Sequence, residues 1–504
     1  VPLFASSRTD PQGLALDDLE QRRSWAELED RITRMANGLR DDFGLGPDDH
    51  VALLMHNRAE AVEGLVAGIA AGAWVTPINW HLTPDEIAYV VQDSHARVVF
   101  ADAERATLAR AAGAPEVIEV GDELEAWLAR ASDAPIDLSG PAGGNMIYTS
   151  GTTGLPKGVK RVRPATLDAA LAAQRAYAAS IDLDGGGPHL VTGPLYHAAP
   201  LMLAIYEQQN GAPVVIMPRW DDEHCLQLIE EREIRHTHLV PTMFVRLLRL
   251  PDDVRTRYAR PALHRVLHGA APVSPQVKRE MIDWWGPILL EYWGGTEGGV
   301  NTIVDSEQWL AHPGTVGRAL PAFEVFAIDD SGRRLSVGEI GTLYCRDSRF
   351  DRAFEYHGDP VKTEAAYLEP GVFTLGDMGF IDADGFVHLA DRKSNMIISG
   401  GVNIYPAEIE QVLIAHPAVT DVAVFGIPDE EWGESVKAAV ELAPGAEASD
   451  ALAAELVAFA RERLASYKAP RSIDFEATLP RHLSGKLYVR RLRDPYWAGH
   501  TRKI

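Results

Sequence analysis

Cysteine is nearly absent from this sequence. Its 504 residues carry two, Cys225 and Cys345. They stand far apart, with no CxxC pattern and no Cys/His cluster near either. That argues against a disulfide framework and a thiolate metal site, and for ordinary thiols in a reducing compartment. Long apolar runs are lacking too. The longest, from Gly64 to Ile78, is short, glycine-rich and ends near Pro77, so it reads as a buried helix leading into a strand and not as a membrane span. No N-terminal apolar stretch looks like a signal peptide, and the expected location is the cytoplasm. Positive charge is in deficit: 48 Lys and Arg face 72 Asp and Glu, a net charge of −24. A general nucleic-acid surface is disfavoured, and an anionic ligand needs a locally basic site within a repulsive field. Finally, no Ser/His/Asp or Cys/His arrangement marks a covalent nucleophile.

What is present is the balance of a globular protein, 46% hydrophobic and 24% charged, too long for one compact core. Ser24 can cap a helix over residues 24–40, where Leu28, Ile32, Met35, Ala36 and Leu39 recur at helical spacing. Apolar strands are expected at 50–54, 74–78, 96–101, 145–148, 190–192, 212–217 and 236–240, with helices such as 58–71 and 84–92 between them. This alternation predicts an α/β fold with doubly wound parallel sheets, either two or one large one with a repeat. From 314 to 391 the pattern turns to short strands and Asp/Gly turns, predicting hairpins in a small distorted barrel. Beyond it lies a compact α+β unit. The expected division is an N-terminal domain of residues 1–393 and a smaller, mobile C-terminal domain of residues 394–504.

The most chemically suggestive stretch is Ile147–Val159, IYTSGTTGLPKGV. Its glycines let backbone N–H groups approach an anion, its hydroxyls add donors, and Lys157 adds charge. It is no Walker loop, because no Gly-Lys-Ser/Thr follows. Four further stretches carry side chains of the right type. Leu290–Gly299 (LEYWGGTEGG) offers aromatic faces, a hydroxyl and a carboxylate. Thr374–Gly379 (TLGDMG) offers a carboxylate at a strand end, as nucleotide folds use for ribose. Residues 391–410 and Pro480–Lys486 (PRHLSGK) add basic turns. Each alone is an ordinary loop.

Together and in this order, the five stretches resemble the adenylate-forming superfamily, in its acyl-CoA synthetase branch, over essentially the whole chain. The resemblance implies that Thr149, Ser150, Gly151, Thr152, Thr153, Gly154 and Lys157 close over the β- and γ-phosphates of ATP. Gly269, Ala270, Ala271 and Pro272 would line the adenine. Tyr292, Trp293 and Gly294 belong to the same nucleotide site, with Trp293 at the usual tyrosine position, where it keeps a stacking face and loses the phenol. Thr296 would meet the α-phosphate region, Glu297 would hold Mg2+, and Asp377 and Arg392 would bind the ribose hydroxyls. Lys486 would bridge substrate carboxylate and α-phosphate. Gly400 and Gly401 would pass the pantetheine of coenzyme A. The usual Asp or Lys of the interdomain hinge is replaced by Ser394.

The implied reaction joins a carboxylic acid to CoA through an acyl-adenylate, with ATP, Mg2+ and CoA as the small-molecule partners; a homodimer is compatible with it. His197, in the segment Gly193–Met202, would sit beside the carboxylate. No Asp stands there to pair with an α-amine, so an amino-acid substrate is disfavoured. Leu201, flanked by Ala198, Ala199 and Met202, suggests an apolar lining for a fatty acid or a bulky, steroid-side-chain-like acid. An acyl-AMP ligase loading a carrier-protein thiol, an aryl-CoA ligase and a non-catalytic protein of the same fold are the alternatives.

Overall fold

The structure, a computed structural model, describes residues 2–149, 156–260, 262–392, 395–399, 402–429, 432–481 and 487–498, and the side chains of residues 391 and 392 lie outside the description. The first long helix, Trp25–Asp41, starts where the sequence places it. The Ser24 hydroxyl accepts from the Glu27 N–H while the Glu27 side chain accepts from the Ser24 N–H. These reciprocal bonds satisfy backbone donors that have no partner inside the helix. Leu28, Ile32, Met35, Ala36 and Leu39 then face the core.

Among the described residues the strands form three sheets. The first has seven strands, with Trp74–Pro77, His50–Leu54, Ala96–Ala101 and Glu116–Glu119 in a parallel core. Gly144–Thr149 joins that core in parallel, and Lys157–Arg161 folds back on it antiparallel. The residues of the central strand His50–Leu54 are all buried, as a strand covered by helices on both faces requires. The second sheet has fourteen strands. Its parallel part runs through His189–Val191, Val214–Ile216, His236–Leu239, Arg265–His268 and Leu289–Gly295. There are thus two doubly wound layers.

The expected small barrel is not a separate sheet. Leu289–Gly295 hairpins into Gly299–Asp305, which pairs with Thr315–Ala319 and so carries the second sheet onward into Phe323–Ile328, Gly341–Asp347, Val372–Ile381 and Val387–Arg392. One strand of this region, Phe354–Tyr356, leaves it and pairs with Lys157–Arg161 of the first sheet. The third sheet, of five strands, lies wholly beyond residue 394.

Leu289–Gly295 is fixed from the side by a buried ion pair. Lys278, on the helix Pro275–Trp285, donates to Glu291, and its ammonium lies 4.8 Å from the centre of the Trp309 ring. Lys278 is 0% exposed and Glu291 4%. Removing one partner strands a buried charge, whereas replacing both with apolar groups does not. Lys278→Met is therefore expected to cost about 3–5 kcal/mol in urea unfolding, and the double variant Lys278→Met/Glu291→Leu to regain most of it. A double variant as unstable as the single one would contradict this account.

Candidate active site

The stretches singled out in the sequence follow the carboxyl ends of parallel strands. Gly193–His197 follows His189–Val191, Gly269–Pro272 follows Arg265–His268, and Thr296–Glu297 follows Leu289–Gly295. Thr149 ends Gly144–Thr149. In open α/β sheets this rim is where ligands bind, because strand ends and following loops leave a crevice there.

The glycine-rich stretch is flanked by two antiparallel strands, Gly144–Thr149 and Lys157–Arg161. Thr149 and Lys157 are cross-strand partners at its base. Ser150, Gly151, Thr152, Thr153 and Gly154 lie outside the described residues. The Tyr148 hydroxyl donates to Asp93 at 2.7 Å, and Lys157 lies 3.9 Å from the same carboxylate. Partial burial disfavours the Lys157 ammonium, but Asp93 and Tyr89 outweigh it and hold its pKa above the usual lysine value. Lys157 is thus a firmly positive group at the root of the loop.

Gly269 to Pro272 sits tightly against Leu289–Gly295. A Cβ at Gly269 would lie 2.7 Å from the Tyr292 ring and 2.8 Å from its carbonyl oxygen, so only glycine fits. Ala270 has φ +67°, a conformation costly for a residue with a Cβ and held only by its surroundings. Tyr292 points back into the parallel sheet, where its hydroxyl meets His238 Nε2 at 2.9 Å. Trp293, one residue on, points the other way because side chains alternate along a strand. It packs with Val159, Val316 and Phe373 and is 5% exposed, leaving little ring surface for stacking. Its Nε1–H donates to Asp377 Oδ2 at 2.8 Å. Gly294 admits the hairpin's close return: a Cβ there would collide with the Gly299 carbonyl.

Glu297 lies at the tip of that hairpin. The Tyr356 hydroxyl donates to its Oε1 at 2.9 Å. Tyr356 is the cross-strand partner of Val159, on the strand that Lys157 begins, so one strand ties the carboxylate to the glycine-rich hairpin. Asp377 and Arg392 are direct register partners on neighbouring antiparallel strands. Thr296, Glu297, Trp293, Asp377, Lys157 and Thr149 are therefore gathered by pairing and hydrogen bonds from three distant parts of the chain. Gly400, Gly401, Ser394 and Lys486 lie outside the described residues.

His197 occupies the N-cap position of the helix Ala198–Gln208, its ring 4.6 Å from that of Tyr196. The loop that carries it is stapled by Asn57, which the sequence reading missed. Asn57 donates to the carbonyls of Gly193 and Met217, both at 3.0 Å, and accepts from the Leu195 N–H at 2.8 Å. Leu201 corrects the expected lining. It is 0% exposed and belongs to the N-terminal core. The helix instead turns Ala199, Leu203 and Tyr206 toward Tyr177, Leu267 and Leu290. The three residues recur at helical spacing, a signal available in the sequence.

One further group could hold a metal ion among the described residues: Asp184, Glu207 and His236. It sits at the opposite end of the strands, where His189 and His236 are first residues. Glu207 already binds His189, at 2.6 Å, and His236, while Asp184 binds Arg235 at 3.1 Å. Its charges are balanced within the fold, and it reads as structural.

Against known families, residues 3–349 match the AMP-binding enzyme model and residues 408–486 the AMP-binding enzyme C-terminal domain. The chain belongs to the AMP-binding enzyme family. Its resemblance to adenylate-forming ligases is thereby borne out, and so is the α/β fold with a smaller C-terminal unit. It is 32% identical to the fatty acid–[acyl-carrier-protein] ligase ScoC of Streptomyces coeruleorubidus, over 95% of this chain and 93% of that protein. It is 34% identical to a feruloyl-CoA synthase of an Amycolatopsis species, over 95% of each. The o-succinylbenzoate CoA synthetase MenE of Bacillus subtilis, solved with its acyl-adenylate intermediate, superposes with a TM-score of 0.84 at 27% identity, covering 98% of each chain. Among the described residues of this AMP-binding enzyme, no helix is long and apolar enough to cross a membrane.

The His238–Tyr292 pair predicts an acid sensitivity. Burial, and to a smaller degree nearby His189, push the His238 imidazole from 6.5 down to about 3. The unfolded chain accepts a proton there that the native state resists. Stability from this group is complete above pH 6.5 and is lost as pH falls toward 3, at about 1.4 kcal/mol per pH unit. His238→Asn is expected to flatten that part of a plot of urea midpoint against pH. A slope identical to wild type would show that His238 is not the group responsible.

Proposed function

We propose that this enzyme is an acid–CoA ligase for a hydrophobic carboxylic acid. The observation that carries the reading is the convergence of Lys157, Glu297, Trp293 and Asp377 at one strand-end rim, each held by a contact from another segment. A carboxylate is a poor acyl donor because its leaving group would be oxide. In the proposed reaction its oxygen attacks the α-phosphorus of ATP, pyrophosphate leaves, and the CoA sulfur then attacks the activated carbonyl and releases AMP. Lys157 and the hydroxyls and N–H groups of the glycine-rich hairpin hold the departing phosphates. Lys486 offsets the charge gathering between carboxylate and α-phosphate, where a preorganised cation is worth most. Thr296 donates its hydroxyl to the α-phosphate region, and Asp377 with Arg392 takes the ribose. Residues 394–504 supply Lys486 for the first step and Gly400 and Gly401 for the second, by rotating as a domain.

Glu297 suits Mg2+, which binds one or two carboxylates plus substrate phosphates and keeps several waters; the Tyr356 phenol fixes that carboxylate without neutralising it. The ion would supply charge neutralisation on the phosphates when bound. Tyr356→Phe frees the Glu297 side chain. It is expected to raise the Mg2+ concentration for half-maximal pyrophosphate release about tenfold or more, the worth of one hydrogen bond to a charged group. An unchanged Mg2+ requirement would count against Glu297 as the ligand.

The acyl group is assigned to the side of the site formed by the facing helices Leu167–Ser180 and Ala198–Gln208. Ala199, Leu203, Tyr206 and Tyr177 make that region apolar with phenolic edges, which supports a fatty or bulky hydrophobic acid over a short polar one. ScoC and the feruloyl-CoA synthase act on a fatty acid and a feruloyl group by their names, so aryl acids belong in the test. Pyrophosphate release should be screened over fatty, steroid-side-chain, aryl and short polar acids, with CoA and separately with a holo carrier protein. Turnover is expected with hydrophobic acids and free CoA, and Lys486→Ala is expected to lose at least about a hundredfold in the adenylation step. Activity confined to aryl or short polar acids would overturn the acid class, exclusive transfer to the carrier protein would overturn the acceptor, and intact pyrophosphate release in Lys486→Ala would overturn the lysine's role.

A further inference from the structure

Trp293 does something that a residue serving only as a stacking surface would not. Its indole is 5% exposed, packed among Val159, Val316 and Phe373, and its N–H donates to Asp377 Oδ2 at 2.8 Å. Asp377 is itself 8% exposed. An aspartate carboxylate rotates broadly about its last bond. A donor fixed in a packed ring removes that freedom, because the indole cannot turn without disturbing its neighbours. A donor at this mid-edge position belongs to tryptophan. The hydroxyl of a tyrosine sits at the ring tip, and phenylalanine has none.

We propose that Trp293 is a positioning residue for ribose recognition: it sets the plane of the Asp377 carboxylate so that its oxygens meet the sugar hydroxyls, and thereby makes the enzyme discriminate ribonucleotides from deoxynucleotides. This rests on the reading of Asp377 as the ribose ligand. The hydrogen bonds of a ribose diol to one carboxylate are sensitive to its orientation, since each weakens steeply away from linearity. A carboxylate turned out of that plane makes one of them well or both poorly. The stacking reading and the positioning reading therefore predict different things. Loss of stacking weakens ATP and deoxy-ATP alike. Loss of positioning weakens ATP and leaves the deoxy analogues nearly unaffected.

The test measures kcat/KM for pyrophosphate release with ATP, 2′-deoxy-ATP and 3′-deoxy-ATP, together with equilibrium binding of AMP against 2′-deoxy-AMP. Wild type, Trp293→Phe, Trp293→Tyr and Asp377→Ala are compared. A further variant carries 3-benzothienylalanine at position 293, which keeps the shape of the indole and replaces its N–H by sulfur, so that packing and folding are retained. The wild-type preference for ATP is expected to shrink about tenfold in the Phe, Tyr and benzothienyl variants, as for a lost hydrogen bond to a charged group, with most of the loss on ATP. A benzothienyl variant that keeps the full wild-type preference would overturn the proposal. If Asp377→Ala also keeps it, or wild type shows none, the ribose assignment of Asp377 itself falls, a result distinct from failure of the Trp293 contact alone.

Discussion

The ladder of Leu289–Gly295 is the constraint on which the rest of this structure depends. On one side the strand pairs in parallel with Arg265–His268, and on the other it turns into an antiparallel hairpin that leads to the remaining strands of the second sheet. Its two faces serve different cores. Tyr292 reaches His238 in the parallel part, and Trp293 reaches Asp377 in the antiparallel part. Glu291, two residues before Trp293, anchors the strand to the helix Pro275–Trp285. A slip of one residue would exchange the two faces and break all three contacts together. The residues that follow, Thr296 and Glu297, inherit their place from this register.

Much of the candidate site stood out in the sequence because its loops are punctuated by glycine. Loops with several glycines beside hydroxyls or a carboxylate stand out against helices and apolar strands, and the strands before them show as apolar runs. The alternation of strand and helix also indicated doubly wound sheets, and left open whether there are two or one large one with a repeat. What could not be read is what joins segments far apart in the chain. Tyr356 reaches Glu297, and Asn57 reaches Gly193 and Met217. Neither Tyr356 nor Asn57 is unusual in its own sequence neighbourhood, and only the pairing of Phe354–Tyr356 with Lys157–Arg161 brings the tyrosine to its partner.

Two details of side-chain direction lay beyond the sequence for a common reason. Adjacent aromatics at 292 and 293 must face opposite ways, but strand periodicity does not say which faces which core. Leu201 was placed in the lining by its distance from His197 in sequence. On a helix the hundred-degree turn per residue decides which side chains meet which neighbour. That turn carries Ala199, Leu203 and Tyr206 together toward Tyr177, Leu267 and Leu290 and sets Leu201 in the N-terminal core. In both cases the sequence suggested that a residue stood near the candidate site, and packing decided which way it pointed.

The manner in which acids are held separates structure from chemistry. Glu63, 0% exposed, lies within 3.1 Å of Arg23 and 2.9 Å of Arg31. Asp102 is paired with Arg105, and Glu291 with Lys278. Each is a buried charge balanced by an opposite charge, as the cost of desolvation demands. Glu297 is different. Among the described residues no ion pair involves it, and its fixed partner is an uncharged phenol. A phenol restrains the carboxylate's geometry and leaves its full charge for an incoming cation, whereas an arginine would compete for the same oxygens. In a chain with a net charge of −24, anionic phosphates gain nothing from the long-range field. On the proposed reading their binding comes from local groups: Lys157 at the root of the hairpin, and a carboxylate that no ion pair among the described residues holds, open to a divalent ion that would reverse the local sign. On that reading, an uncharged donor on Glu297 suits an acidic protein better than a cation would.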